Sequence, residues 1–160
     1  MLRLTLLDVF LRVLPEGFLI VFAVYAFSKT VINIKKYIIS SIIYVFAVYL
    51  IRLLPIQYGV HTILNIIVIM VLTININKIS IINSIKASIM AMILEFICEG
   101  INVFMIQYVF KANVRSVLND PSLKTLYGIP SLVIFVVIVG AYYYYLIKRK
   151  ELMESNKWKN

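Results

Sequence analysis

The middle of this chain has almost no charge. Arg52 is the only charged residue between Lys36 and Lys78. Over all 160 residues, 14% are charged and 62% are hydrophobic, and the mean hydropathy is +0.97. A soluble domain carries far more charged surface, so the composition excludes that class. It predicts a multi-pass protein of the cell membrane, whose partners include membrane lipid.

Cysteine and histidine are nearly absent, with one residue of each. The lone Cys98 excludes a disulfide within the chain and cannot form a structural zinc site by itself. The sequence contains no phosphate-binding loop, zinc-protease helix or Ser/His/Asp arrangement. The net charge of +9 indicates contact with anionic lipid, because nucleic-acid binding would need a soluble basic domain. We therefore expect no enzymatic activity, no cofactor, no metal site and no nucleic-acid partner.

Long apolar stretches predict an all-α transmembrane helix bundle with about five spans. The predicted spans are residues 14–27, 37–51 with an extension to 54, 59–74, 79–110 and 125–147. The fourth would be roughly 48 Å long at about 1.5 Å per residue. It must therefore tilt, project from the membrane or break, and Glu99-Gly100 is where we expect a break. A polar loop, 111–124, with turn residues Asn119 to Ser122, precedes the last span. Residues 1–147 form the predicted transmembrane domain, and 148–160 form a basic cytoplasmic tail.

A polar stripe precedes the first predicted span. Thr5, Asp8, Arg12 and Glu16 recur at helical spacing and so share one helix face. The segment is either an amphipathic interfacial helix that turns at Pro15 or part of a long first span whose stripe faces the bundle. We favour the second interpretation, because an interfacial helix usually has a broader, lysine-rich polar face. We also expect this leader to be retained, since it lacks the features of a cleaved signal peptide.

The distribution of cations predicts the orientation. With five spans and the C-terminus inside, the inner segments carry ten Lys and Arg residues and the outer segments carry six. Cytoplasmic loops are enriched in these residues, so the topology is predicted as N-out and C-in.

This topology brings rare polar residues toward the outer leaflet. The predicted ligand-binding residues are Glu16, Arg52, His61, Glu95 and Glu99. Ionisable groups at membrane depth usually face a bundle interior or an aqueous cavity, where opposite charges pair. The alternative is purely structural: the glutamates pair with arginines near the interface, Arg52 extends toward the headgroups, and His61 is an interhelical hydrogen-bonding residue.

One segment also resembles a known family. Residues 52–62, RLLPIQYGVHT, together with Leu-Pro-Glu at 14–16 and a Tyr/Lys-rich exit from the last span, resemble the membrane input domains of certain Gram-positive sensor histidine kinases. These domains are similar to receptors for peptide pheromones. The resemblance implies a bundle that detects an external ligand, such as a peptide, and biases a cytoplasmic kinase. The kinase regions of that family would follow the last span, where only 148–160 remain. We therefore expect either a stand-alone sensor-like domain that acts on a partner protein or a fragment of a longer sensor.

Three hypotheses for function follow. The first is a non-enzymatic sensor that binds an external ligand or membrane partner through the outer polar pocket and signals through another protein. The second is a small substrate-binding or proton-coupled transport subunit, although the chain lacks internal repeats and is poor in Gly. The third is an accessory subunit that only packs against another membrane protein.

Overall fold

A computed structural model describes residues 12–54, 58–109 and 121–152. All regular elements within these ranges are helices, which confirms the predicted all-α class. The helices are α1 (Leu14–Phe27), α2 (Ile34–Leu53), α3 (Tyr58–Asn75), α4 (Ile81–Tyr108) and α5 (Pro121–Arg149). Among the described residues, three segments are long and apolar enough to cross a membrane: Ile34–Leu53, Ile81–Tyr108 and Leu126–Arg149. α1 and Gly59–Asn75 are shorter apolar helices. The structure therefore supports association with a membrane.

Helix α1 is the centre of the bundle. It packs against α2, α4 and α5 and also touches α3. Its sequence is apolar on nearly every face, which is typical of a helix buried on all sides. The run from Ala23 to Ala26 is almost completely inaccessible. The core therefore forms around the first described helix, with the other four arranged about it.

The outward faces of the surrounding helices are apolar. Phe46 on α2, Ile82 on α4 and Val137 on α5 each have more than half of their surface exposed. Contiguous exposed apolar surface on this scale is unfavourable in water and natural against lipid chains. The outer surface therefore agrees with the membrane class predicted from composition.

Three helices end at a lysine in the left-handed backbone conformation. Lys29 after α1, Lys78 after α3 and Lys150 after α5 have φ values of 53°, 58° and 55°. In each case the N–H of the next residue closes the helix with a bond to an earlier carbonyl. Thr30 bonds to Tyr25 at 3.0 Å and Glu151 to Leu146 at 3.1 Å, both five residues back, and Ile79 bonds to Thr73 at 3.1 Å, six residues back. Because successive helices alternate in direction, all three lysines lie at one end of the bundle, called here the basic end.

The structure corrects two expectations about boundaries. The expected break at Glu99-Gly100 is wrong, since α4 continues through both residues to Tyr108. The predicted loop 111–124 is too long, because α5 begins at Pro121, where proline's missing N–H costs no helical bond. Helix α1 begins at Leu14 and has Pro15 in its first turn. Residues 1–11, 55–57, 110–120 and 153–160 lie outside the described ranges, together with the predictions that rest on Thr5, Asp8 and the turn at Asn119.

Candidate functional site

The inner face of α4 carries the two central glutamates. Buried positions recur along this helix at spacings of three and four: Ser84, Ala87, Ser88, Ala91, Cys98, Asn102 and Ile106. Glu95 and Glu99 continue the same stripe, so the helical period directs them toward the bundle. The small residues at its start let neighbouring helices pack closely. Glu95 thereby comes to lie at the midpoint of α4, facing α1.

The last turn of α2 supplies the first ion pair. Arg52 Nη2 donates to Glu16 Oε1 at 2.7 Å. The side chains are 26% and 12% exposed, so the pair is largely withdrawn from the surface. The two helices approach closely because Gly17, next to Glu16, has no side chain where Val45 and Tyr44 of α2 pack. The predicted pairing of Arg52 with a glutamate is therefore present, with Glu16 as its partner.

Arg12 makes the second set of pairs. Its Nη2 donates to Glu99 Oε1 at 2.7 Å, and its Nε lies 3.8 Å from Glu16 Oε2. The guanidinium also packs against α5 at Gly128, where an added Cβ would lie 3.1 Å from Nη1. Sequence reasoning left Arg12 out of the predicted site. The signal was its one-turn spacing from Glu16, but the partner on α4 depends on how the helices pack.

A proline in α5 shapes the neighbouring wall. Pro130 has no N–H to donate and crowds the preceding turn, which weakens the helix there. Side chains bond to the adjacent carbonyls: Asn102 Nδ2 donates to the Tyr127 carbonyl at 2.7 Å, and Ser131 Oγ donates to Gly128 at 2.7 Å. Such bonds are how proline is tolerated in membrane helices. The bond from Asn102 also joins α4 to α5.

Glu95 completes a group called here the charge cluster: Arg12, Glu16, Arg52, Glu95 and Glu99. Glu95 lines the same cavity as Glu16 and Glu99, and Arg52 is a further charged neighbour. It forms no ion pair with any described residue. The cluster thus joins three helices through two guanidinium groups and three carboxyl groups.

A small cavity opens beside the cluster. It has a volume of about 20 Å³ and is lined by polar groups, among them Glu16, Glu95 and Ser131, and by apolar groups, among them Leu19 and Phe135. That volume fits about one water molecule. It is far smaller than the pockets of several hundred Å³ that hold small-molecule ligands. The described residues also include no group of three His, Cys, Asp or Glu placed to hold a metal ion.

Four of the five predicted site residues lie at or next to the cavity, and His61 is not among the residues that line it. Glu16, Glu95 and Glu99 line the cavity, and Arg52 reaches it through Glu16. His61 lies near the start of α3 and is not among the cavity-lining residues. Its assignment to the site therefore stays a prediction.

A separate ion pair lies at the basic end. Lys29 Nζ donates to Glu151 Oε2 at 2.6 Å and joins the α1–α2 connection to the residues after α5. The hydrogen bond and the charge of Lys29 hold the pKa of Glu151 below its ordinary value of 4.5. The same hydrogen bond and the carboxylate charge raise the pKa of Lys29 above 10.5. Tyr143 strengthens this junction, since its hydroxyl accepts the Ile32 N–H at 3.3 Å.

Comparison with protein families, with curated proteins and with solved structures finds no match to this chain. The functional argument therefore depends on the geometry of the cluster.

Proposed function

We propose that this chain is a multi-pass membrane protein of sensor type, without enzymatic activity, in which the charge cluster responds to an external ligand or membrane partner. The observation that carries the proposal is the position of the cluster. Its ion pairs tie α1 to α2 and α4 at one end, while Lys29–Glu151 ties the same α1 to the end of α5 at the other. A change in one set of contacts alters how α1 packs along its whole length.

The energies are of the right size for such a switch. Moving a two-state equilibrium from 1:99 to 99:1 takes about 5.5 kcal/mol. Removing one partner of a buried ion pair costs about 3–5 kcal/mol. A basic ligand group that displaces one arginine from its carboxylate therefore contributes to the bias between two helix packings, by less than the buried value where the carboxylate is exposed, as at Glu99.

The size of the cavity limits how a ligand acts. A peptide cannot enter a space that fits one water molecule. It would instead bind at the rim, where the Glu99 side chain is 43% exposed. Glu99 is then the first group a basic ligand meets, and Arg12 the cation it displaces. The choice of a peptide as the ligand follows from the resemblance of residues 52–62 to peptide-responsive input domains.

Coupling between the two ends can be measured without knowing the ligand. Spin labels at Lys35→Cys and Lys148→Cys, in a Cys98→Ala background in nanodiscs, report the distance between α2 and α5 at the basic end. Glu16→Gln and Arg52→Gln should shift or broaden that distance distribution, whereas Lys86→Gln, on the exposed face of α4, should not. Identical distributions for all three variants would contradict a coupled switch.

Orientation belongs to the same proposal. The basic end would face the cytoplasm, because lysines concentrate there and cytoplasmic loops are enriched in Lys and Arg. In intact cells, a membrane-impermeant maleimide should label Leu54→Cys directly and Lys150→Cys only after permeabilisation. The opposite pattern would reverse the topology.

The alternative is a small transport subunit. The observation that favours it is the extra carboxyl group of Glu95, which a proton-coupled carrier could use. Native nanodiscs followed by mass spectrometry would separate the two functions. A kinase or a bound peptide that is lost in Glu99→Gln supports the sensor, and a stoichiometric transport ATPase supports the transport subunit.

A further inference from the structure

The charge cluster has one carboxyl group more than its cations can balance. Arg52 pairs with Glu16, and Arg12 pairs with Glu99 and more distantly with Glu16. Within the described residues no cation pairs with Glu95. If all three carboxyl groups were ionised, the cluster would carry a net negative charge in a largely apolar surrounding. An unpaired carboxylate in such a place is strongly disfavoured and is neutralised by taking up a proton.

Two orphaned polar atoms lie beside this carboxyl group. The Tyr44 side chain is completely buried, and its hydroxyl finds no hydrogen-bond partner among the described residues. Its ring packs next to Gly17, the chain neighbour of Glu16, and the charged groups near it are Glu95, Glu16 and Arg52. Glu16 Oε2 is also buried and accepts no hydrogen bond from the described part of the chain. Buried polar atoms are nearly always satisfied, so a donor and an acceptor left open at one place indicate a missing hydrogen-bonding species.

The cavity restricts what that species can be. Its volume of about 20 Å³ admits a single water, and a basic side chain of a partner would not fit. Two guanidinium groups at the site and the lack of a three-ligand group among the described residues disfavour a metal ion. A proton, alone or with one water, meets the requirement for charge and for space.

We propose that the charge cluster is a binding site for one proton, held on Glu95 and shared through a hydrogen bond with Glu16 Oε2. Protonated Glu95 donates to Glu16, and the Tyr44 hydroxyl donates to the other oxygen of Glu95, directly or through one water. The proton comes from the surrounding water and returns to it, with no other bond formed or broken. A role for this proton in signalling rests on the proposed function, but its binding does not.

Titratable groups that face Glu95 come from three helices. They are Glu16 on α1 with Arg12 just before it, Tyr44 and Arg52 on α2, and Cys98 and Glu99 on α4. The wall contributed by α5 consists of Ser131, Leu132 and Phe135 and carries no titratable group. Both arginines already have carboxylate partners, so Glu95 is the group expected to exchange its proton.

Difference infrared spectroscopy of the full chain in nanodiscs tests the site directly. The wild-type protein at neutral pH should show the carbonyl stretch of a protonated carboxylic acid, shifted by exchange into heavy water and lost as the medium becomes alkaline. The band should vanish in Glu95→Gln and persist in Glu151→Gln, which removes a carboxyl group at the basic end. Absence of the band from the wild-type spectrum, or its survival in Glu95→Gln, would overturn the proposal.

Two further variants separate proton binding from folding. Glu95→Asp keeps a carboxylic acid and should shift the band without removing it, so its loss in a folded Glu95→Asp protein would count against the site. Tyr44→Phe removes the hydroxyl and should also shift the band. If Tyr44 only filled space, this substitution would leave the band unchanged. The infrared band could respond to these variants as expected while Glu16→Gln leaves the spin-label distances unchanged. That combination would support the proton site and contradict the proposed sensor function.

Discussion

Arg52 is held by one carboxylate on a neighbouring helix, and the two residues depend on each other. The Glu16 side chain is only 12% exposed, so neither water nor headgroups can replace the arginine easily. Such a pair adds little compared with well-packed apolar residues, but losing one member strands the other. The structural cost of a substitution here therefore depends on what remains behind.

Replacing Arg52 with Gln should lower the free energy of unfolding by roughly 3 kcal/mol, because Glu16 then keeps a buried charge with a weakened set of cations. Reversible unfolding in mixed micelles measures the change. Lys86→Gln, which removes an exposed cation from α4, is the matched control and should stay near the wild type. The double variant Arg52→Gln, Glu16→Gln should recover part of the loss. A double variant as unstable as the sum of the single ones would refute this account.

At the scale of helices, α1 and α2 approach each other closely at Gly17. A Cβ at Gly17 would collide with the Val45 side chain, while a Cβ at Gly100 would meet nothing within 4 Å. The two glycines therefore have different roles, although both lie in helices. Gly17 permits the approach that brings Glu16 to Arg52, and Gly100 lies on an exposed face.

Gly17→Ala should destabilise the bundle by about 1–3 kcal/mol, the usual cost of overpacking a close contact. Gly100→Ala should be neutral or stabilising by about 0.5–1 kcal/mol, since alanine is the better helix former. The same unfolding measurement compares them. Equal effects of the two substitutions would show that α1 and α2 do not pack as closely as described.

The left-handed lysine at the end of α3 offers a test of helix termination. Lys78→Gly and Lys78→Ala both remove the charge, so their difference isolates the backbone. With φ at 58°, glycine should give the more stable protein by about 1 kcal/mol. Equal stabilities would mean that the left-handed conformation is not maintained in solution.

The helices were largely predictable because a membrane span leaves a long apolar run that needs no knowledge of its neighbours. The break expected at Gly100 failed because that glycine lies on the outer face of α4, where it interrupts no packing. The convergence of Arg52 with Glu16 follows from alternating helix directions. The pairing of Arg12 with Glu99 and the burial of Tyr44 depend on the rotation of each helix about its axis, which a single sequence does not specify.

For the molecule as a whole, the Lys29–Glu151 pair closes the basic end. Lys29 lies between α1 and α2, and Glu151 follows α5, so the pair holds the end of α5 next to the α1–α2 connection. Because both groups are exposed to solvent, the pair is weakened by salt and sets a position more than it stabilises the fold.

The pKa of Glu151, followed by NMR in micelles, should lie below 4.5 and rise toward that value in Lys29→Gln. A lowered pKa means that the contribution of the carboxylate to stability is present above pH 4.5 and is lost as the pH falls through the folded value. The pKa of Lys29 is raised, so the contribution of its ammonium group to stability is present below pH 10.5 and is lost as the pH rises through the folded value. Lys35→Gln is the control and should leave Glu151 unchanged. If the pKa of Glu151 is the same in Lys29→Gln as in the wild type, the Lys29–Glu151 ion pair does not form in solution.

The contact between Arg12 and Gly128 has a mechanical consequence. Gly128 is flanked by Tyr127 and Ile129, so only one rotational setting of α5 presents bare backbone to the guanidinium. Turning α5 about its axis would bring a bulky side chain toward the Arg12 guanidinium, which would have to move aside, so this contact favours the observed rotation of α5.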